Sequence, residues 1–528
     1  MFDLIIRGGT LYDGLGGVPR AADVGIRRGR IAALGGLGAC PGVPVLDAAG
    51  AAVSPGFIDV HSHADLALLR DPEHRPKVLQ GVTTEVIGNC GFSPAPSHPD
   101  TAGLLQAYLG PTLGDAGADW TWRTAGEYLH LLRARRPSVN VAPLVGHGAL
   151  RIRAMGFARR AAGPGEMARM AADLEEALAA GCGGLSIGLI YAPACYAEDD
   201  EIEALCRVVA RSGGYLAVHM RNESDRMAAA VGENLALARR TGVRLHLSHL
   251  KASGRANWPQ LLPALRAIEA ARAEGLPVTC DQYPYVAGST TITVLLPQWA
   301  LDGGVEAMLA RLREPALRDR LRRDFDAGIP GWDCLVRANG WDNILVSWAA
   351  AGGEAFEGRT LADIAGAAGT DPAEALFALI LRLRGQASIV VFQQSEENVE
   401  AAMRRPYVAI GSDGLHAGVR AHPRLYGTFP RVLGRYVRER GTLALAEAVR
   451  KMTSLPAEVL GLADRGRLVE GCAADVTVFV PESVADAGTF AAPDRPPRGI
   501  RHVVVNGVPV VRDGSHTGAR PGAVLRRG

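Results

Sequence analysis

The stretch that decides the fold is Val53-Ser54-Pro55-Gly56-Phe57-Ile58-Asp59-Val60-His61-Ser62-His63. An almost continuous apolar run ends there in a polar His-Ser-His tripeptide. Runs of that kind mark strands buried on both faces, the sort from which parallel sheets are built. Residues i and i+2 of a strand share a face, so His61 and His63 point the same way at the strand's C-terminal end.

The pattern recurs along the middle of the chain. Apolar strands are expected at 53–60, 82–87, 139–145, 185–190, 215–218, 245–247, 278–280 and 407–410. Helical patterns at 167–178, 200–211, 226–240, 258–273 and 373–383 separate most of them. Eight such strands alternating with helices predict an α/β fold, a (β/α)8 TIM-like barrel with its chemistry at the strand C-terminal ends. One long interval, between the seventh strand and the eighth, breaks the rhythm. Its 290–352 portion carries Trp299, Trp332, Trp341 and Trp348, and predicts an insertion on the catalytic rim, a lid or small subdomain.

Both chain ends read differently. Short apolar stretches at 2–6, 24–26 and 31–34 are broken by Gly and charged residues, and 475–479, 500–505 and 508–511 behave alike. Asn506-Gly507 between two apolar strands is a strong hairpin signal. These segments predict one small β-sandwich assembled from 1–52 and 455–528, around a barrel at 53–454.

The 528 residues are 48% hydrophobic and 21% charged, which excludes a disordered chain. Lys plus Arg number 57 against 55 Asp plus Glu, a net charge of +2 that leaves no footprint for nucleic acid or an anionic membrane. No apolar run approaches the roughly 18 residues of a membrane span. Met1-Phe2-Asp3-Leu4-Ile5-Ile6-Arg7 lacks the pattern of a secretory signal. The eight cysteines form no CxxC pair and read as reduced thiols. The expectation is a cytoplasmic protein, monomer or homo-oligomer, that acts on a small molecule.

Polar residues follow the strands in a telling order. Asn89-Cys90-Gly91 follows the second, His219 ends the fifth, His249 follows the sixth, and Gly411-Ser412-Asp413-Gly414 follows the eighth. Imidazole and thiolate are favoured zinc ligands, and a thiolate can bridge two ions. A carboxylate beside such ions can serve as general acid and base. An isolated HxH arises by chance, and an isolated buried cysteine is usually a small hydrophobe. Convergence at five strand ends points instead to a metal centre.

At these residues the chain resembles the amidohydrolase superfamily, in particular its N-acyl-D-amino-acid deacylase (D-aminoacylase) branch. The superfamily likeness lies in the 55–63 stretch. The branch likeness lies in Gly88-Asn89-Cys90-Gly91-Phe92-Ser93, Gly188-Leu189-Ile190-Tyr191-Ala192-Pro193, His219-Met220-Arg221 and His422-Pro423-Arg424. It extends over nearly the whole chain, from Ile5-Ile6-Arg7-Gly8-Gly9 onward. The resemblance implies zinc-dependent hydrolysis of N-acyl-D-amino acids to a carboxylate and a free D-amino acid. It implies that Cys90 replaces the carboxylated lysine that bridges two metals elsewhere in the superfamily. Cys90, His219 and His249 would hold a tight zinc, and His61, His63 and Cys90 a weaker second one. Asp413 would be the general acid/base.

Lys251, Arg221, Tyr283 and Ser289 follow strands five to seven and are candidates to fix the substrate carboxylate, with Tyr191 a donor to the substrate or the developing oxyanion. The competing reading of Arg221 is an ion pair with Glu223 or Asp225, and that of Tyr283 is packing against Tyr285. His147 is expected at the mouth, His246 towards the helices, and His416 and His422 along the acyl or side-chain pocket. His74, His98, His130, His502 and His516 read as surface or structural. Two rival functions remain. A cyclic-amide hydrolase of the hydantoinase or dihydroorotase type would need the absent carboxylated lysine, and a silent barrel scaffold would lack ligands that are present here.

Overall fold

The computed structural model describes residues 1–115, 120–418 and 421–527. Its middle is built on parallel pairing. Phe57–Asp59 pairs with Val82–Ile87, which pairs with Asn140–Pro143. Val145–Gly146 continues past Leu144 and pairs with Gly184–Gly188. Tyr215–His219, Arg244–Leu247, Val278–Gln282 and Val408–Ile410 follow in turn, each parallel to the one before. Beyond these, Gly414–Leu415 pairs in parallel with Ser62–His63, joining the last strand's extension to that of the first.

Helices separate the strands because their apolar positions recur on one face. In Asp199–Arg211, Ile202, Leu205, Cys206 and Val209 are buried, while Asp199 and Asp200 sit in the first turn, where negative charge suits the helix dipole. Pro164–Ala180 begins with proline at its first position, and Glu166 reaches back to accept from Gly163 N at 2.7 Å.

Three boundaries differ from those expected. The 53–60 strand is two. Ala52–Pro55 pairs with Leu4–Leu11 and Val476–Phe479 in the terminal sheet, and pairing with Val82–Ile87 begins only at Phe57. The break falls at Gly56, where a Cβ would lie 2.2 Å from Thr83 Cγ2, so only glycine lets the two segments pass so close.

The excursion after the seventh strand is larger than 290–352. Ala287–Thr291, Ala387–Phe392 and Ile344–Ala349 form an antiparallel sheet in that order, with helices between them. Pro372–Leu383, expected as a helix of the parallel unit, belongs to this excursion, where Phe377 stacks on Phe325 at 6.2 Å. The helix ahead of the last parallel strand is Glu396–Met403. An apolar helix face looks the same in sequence whichever partner covers it.

The terminal strands form one nine-stranded sheet that takes strands from both chain ends. The expected hairpin is there: Ile500–Val505 and Val508–Arg512 pair antiparallel around Asn506 and Gly507, both at positive φ. Residues from 455 on do not all join it. Leu455, Val459 and Leu460, from helix Ser454–Leu460, cluster with Ile58, Val86, Tyr215 and Ala409 under the parallel strands. The tail also returns there, with Val141 N donating to Ala523 O at 2.9 Å.

Candidate metal centre

The strand ends are shaped by backbone as much as by side chains. Cys90, His249 and Asp413 all adopt left-handed conformations, with φ of 54°, 36° and 50°. Non-glycine residues rarely do so, and such strain concentrates at functional sites. Three strand ends thus each turn one chemical group inward. Gly88 makes the Cys90 hook possible, since a Cβ there would lie 2.2 Å from Leu144 O.

The hook brings Cys90 Sγ within 3.2 Å of His61 Nε2 and 3.4 Å of His249 Nε2. Two sets share that sulfur. Ligand atoms of Cys90, His219 and His249 lie within 4.8 Å of one another, as do those of His61, His63, Cys90 and Asp413, and all six residues are buried. Zinc–ligand bonds of roughly 2.0–2.3 Å suit such a cluster. Both His219 ring nitrogens are buried without a hydrogen-bond partner among the described residues, a deficit that a cation would fill.

The electrostatics favour the ligating forms of Cys90 and His219. At His61, His63 and His249 burial lowers the pKa, but the surrounding carboxylates and Cys90 outweigh it and raise it, to about 9 for His249. Burial pushes the Cys90 thiol up, but His61 and His249 outweigh it and hold the group well below the usual thiol range. Burial holds His219 below the ordinary histidine value, which favours the neutral ring. Asp413 lies 3.1 Å from His63 Nε2, 3.5 Å from His61 Nε2 and 2.9 Å from Arg424 Nη2. Burial would raise its pKa; Arg424, His61 and His63 hold it well below the carboxylate range.

A second layer orients the rings. Asp281 accepts from His61 Nδ1 at 3.1 Å, from His246 Nε2 at 2.9 Å and from His249 N at 3.0 Å. Glu223 lies 3.1 Å from His249 Nδ1 and 2.5 Å from Lys251 Nζ. Each carboxylate leaves the opposite ring nitrogen facing Cys90.

The predicted residues divide clearly. His61, His63, Cys90, His219, His249 and Asp413 come together. Lys251, Tyr283, Ser289 and Tyr191 line one cavity with Cys90, His219, His249 and Asp413. Tyr283 sits between two cations, 5.9 Å from Lys251 Nζ and 4.6 Å from the Arg424 guanidinium. Arg221 is elsewhere: it donates to Cys195 O at 3.3 Å, and Glu223, its expected partner, is held by Lys251. The cause is a turn after His219, in which Asn222 Oδ1 accepts from Ser224 N and Arg226 N and ends the strand's alternation.

Four other histidines depart from expectation. His246 faces inward and holds Asp281, because the turn after Leu247 shifts the parity between it and His249. His147 opens a helix and binds Glu201 at 2.7 Å. His416 packs on His74 at 5.2 Å, and His422 donates to Ala287 O at 2.9 Å and accepts from Arg424 N at 3.0 Å; neither is among the described residues lining the cavity. Asp281 was not singled out beforehand, Glu223 was named only as a partner for Arg221, and Arg424 only within the His422-Pro423-Arg424 stretch. Asp281 lies within the strand Val278–Gln282 and Arg424 opens the helix Arg424–Arg431, so only Glu223, four residues past His219, carried the signal of an acidic residue just beyond a candidate ligand.

A parallel α/β unit with a buried Cys–His set and a carboxylate at its strand ends defines a metal-dependent enzyme. The chain belongs to the amidohydrolase family, whose model matches residues 44–511. It is 41% identical over 529 residues to N-acyl-D-glutamate deacylase of Alcaligenes xylosoxydans xylosoxydans, covering 99% of this chain and 96% of that one. It is 38% identical to D-aminoacylase of the same organism, covering 100% and 98%. The crystal structure of N-acyl-D-glutamate deacylase from Bordetella bronchiseptica, complexed with zinc and a phosphonate that mimics the tetrahedral intermediate, matches at a TM-score of 0.83 and 39% identity, covering 99% of both chains. The shared fold is α/β.

Proposed function

We propose that this chain hydrolyses N-acyl-D-amino acids to a carboxylate and a free D-amino acid, with zinc held tightly by Cys90, His219 and His249 and more weakly by His61, His63 and Cys90. The parallel strands are then a closed (β/α)8 barrel, and the terminal strands a β-sandwich beside it. When bound, zinc supplies Lewis acidity and lowers the pKa of water. Asp413 takes the proton of the attacking water and hands it to the leaving nitrogen. His63 and Arg424 keep that carboxylate ionised and aimed. Lys251, with the Tyr283 and Ser289 hydroxyls, holds the free carboxylate of the amino-acid half, and the Tyr191 hydroxyl donates to the acyl oxygen. The eight unpaired cysteines support a cytoplasmic setting.

The observation that carries this reading is Asp413 beside the shared sulfur set, in one cavity with the Lys251 cation. The test is kcat/KM on N-acetyl-D-methionine and N-acetyl-L-methionine after zinc reconstitution. We expect the D form to exceed the L form by at least about 100-fold, a margin of roughly 3 kcal/mol in transition-state binding. Turnover of hydantoin with none of either methionine derivative would replace the reading with a cyclic-amide hydrolase.

A further inference from the structure

A second cavity adjoins the first and has no part in the chemistry above. It lies in the seam between the parallel unit and the long excursion, and Ile190 and Tyr191 belong to the walls of both. The partition is thin: Tyr191 Oη and Thr290 Oγ1 are 2.9 Å apart, Thr290 facing one cavity and Thr291 the other. An aromatic wall runs across the seam. The Phe92 ring lies 6.0 Å from His63, 4.7 Å from Tyr191 and 4.8 Å from Tyr108, whose side chain lines the second cavity.

Its lining suits a hydrocarbon. Phe157, Val294, Leu301, Val305 and Met308 are among its lining, with Thr293 and Gln386 as polar neighbours. Arg384, the one charged residue among the described lining, is exposed and paired with Glu306. Neither the metal set nor the carboxylate grip of Lys251 and Tyr283 reaches this space. Its cavity volume is about 60 Å³, small beside the roughly 300–1,000 Å³ of small-molecule sites, so only a narrow, unbranched chain suits it.

Resting on the deacylase reading, we infer that this cavity receives the acyl chain of the substrate, and that the chain is a medium-length aliphatic one. With the amino-acid half held at Lys251 and the amide beside Asp413, the acyl carbon's substituent leaves the site past Tyr191. Hydrolysis breaks the C–N bond; water's oxygen joins the acyl carbon, one proton goes to nitrogen, and a medium-chain carboxylic acid departs. Each methylene buried there is worth roughly fourfold in kcat/KM.

The experiment compares N-octanoyl with N-acetyl derivatives of D-methionine and of D-glutamate on the zinc-loaded enzyme. The expected octanoyl-to-acetyl ratio of kcat/KM is at least about tenfold, and Met308→Trp and Val305→Trp should each bring it close to one. A ratio is insensitive to the fraction of folded enzyme, so partial misfolding of either variant does not obscure the result. A ratio of one or less in the parent, with N-acetyl substrates turned over, overturns the inference and leaves the deacylase reading standing. So does an intact ratio in variants that instead change the preference between the two amino acids. Failure to cleave any of the four compounds removes both.

Discussion

Cys90 is the residue on which both ligand sets depend, because its sulfur alone is shared between them. Asp413 belongs to one set and lies within hydrogen-bonding distance of His63. The two residues therefore fail differently. Cys90→Ala should lose zinc on dialysis and all turnover. Asp413→Asn should retain zinc and lose roughly 100- to 10,000-fold in kcat. Metal analysis beside the rate separates them, and zinc retained at wild-type stoichiometry by Cys90→Ala would remove the sulfur from its role. These residues were legible because each follows an apolar strand. Arg221 and His246 were misplaced for one shared reason. Period-two alternation holds only while the strand lasts, and in both places a side-chain-bonded or left-handed turn resets it.

At the scale of elements, a buried charge cluster fastens the first, second and last parallel strands beneath the metal set. Lys77, fully buried on the short helix Arg75–Val78, lies 2.5 Å from Asp59 Oδ2, 2.6 Å from Ser412 Oγ and 3.1 Å from Glu85 Oε1. His74 completes it at 2.6 Å from Glu85 Oε2. Lys77→Met would leave two carboxylates buried without their cation, and should cost about 3–5 kcal/mol in urea unfolding. The cluster also gives stability a definite pH dependence. Burial would raise the Glu85 pKa, but His74 and Lys77 outweigh it and hold the group at about 2, against 4.5 for the free residue. A folded-state value below the unfolded one means the contribution is complete above pH 4.5 and disappears as pH falls from there towards about 2. Unfolding measured across that range should show this loss in the parent and a shallower one in Lys77→Met; equal slopes would mean the cluster is not what titrates. Nothing in the sequence announced it, since Lys77 lies on a four-residue helix with no periodicity to read.

Across the whole molecule, the C-terminal tail returns beneath the parallel strands, away from the chemistry. The sequence assigned 455–528 to the β-sandwich on its short apolar strands and the Asn506-Gly507 hairpin signal, whereas residues past 518 carry no pattern. Residues 521–525 bond through their own backbone groups, and such pairing leaves no signature in their side chains. Gly522 N donates to Pro137 O at 2.8 Å, Leu525 N to Val141 O at 2.8 Å, and Asn506 Nδ2 to Pro521 O at 2.9 Å. The tail thus ties the outer sheet to the third parallel strand. Gly522 is where that tie is tightest, since a Cβ would stand 2.0 Å from Val139 O. Gly522→Val must push the tail off the strand, and should lower stability by about 1–3 kcal/mol through overpacking alone. Cys90, His219 and Asp413 follow other strands of the parallel unit, at their C-terminal ends, so zinc content and KM should stay at parent values while the unfolding midpoint falls. A variant that unfolds early and also loses zinc would show that the underside of the parallel unit and its metal centre are one cooperative structure, with the tail clamping the whole strand and not its base alone.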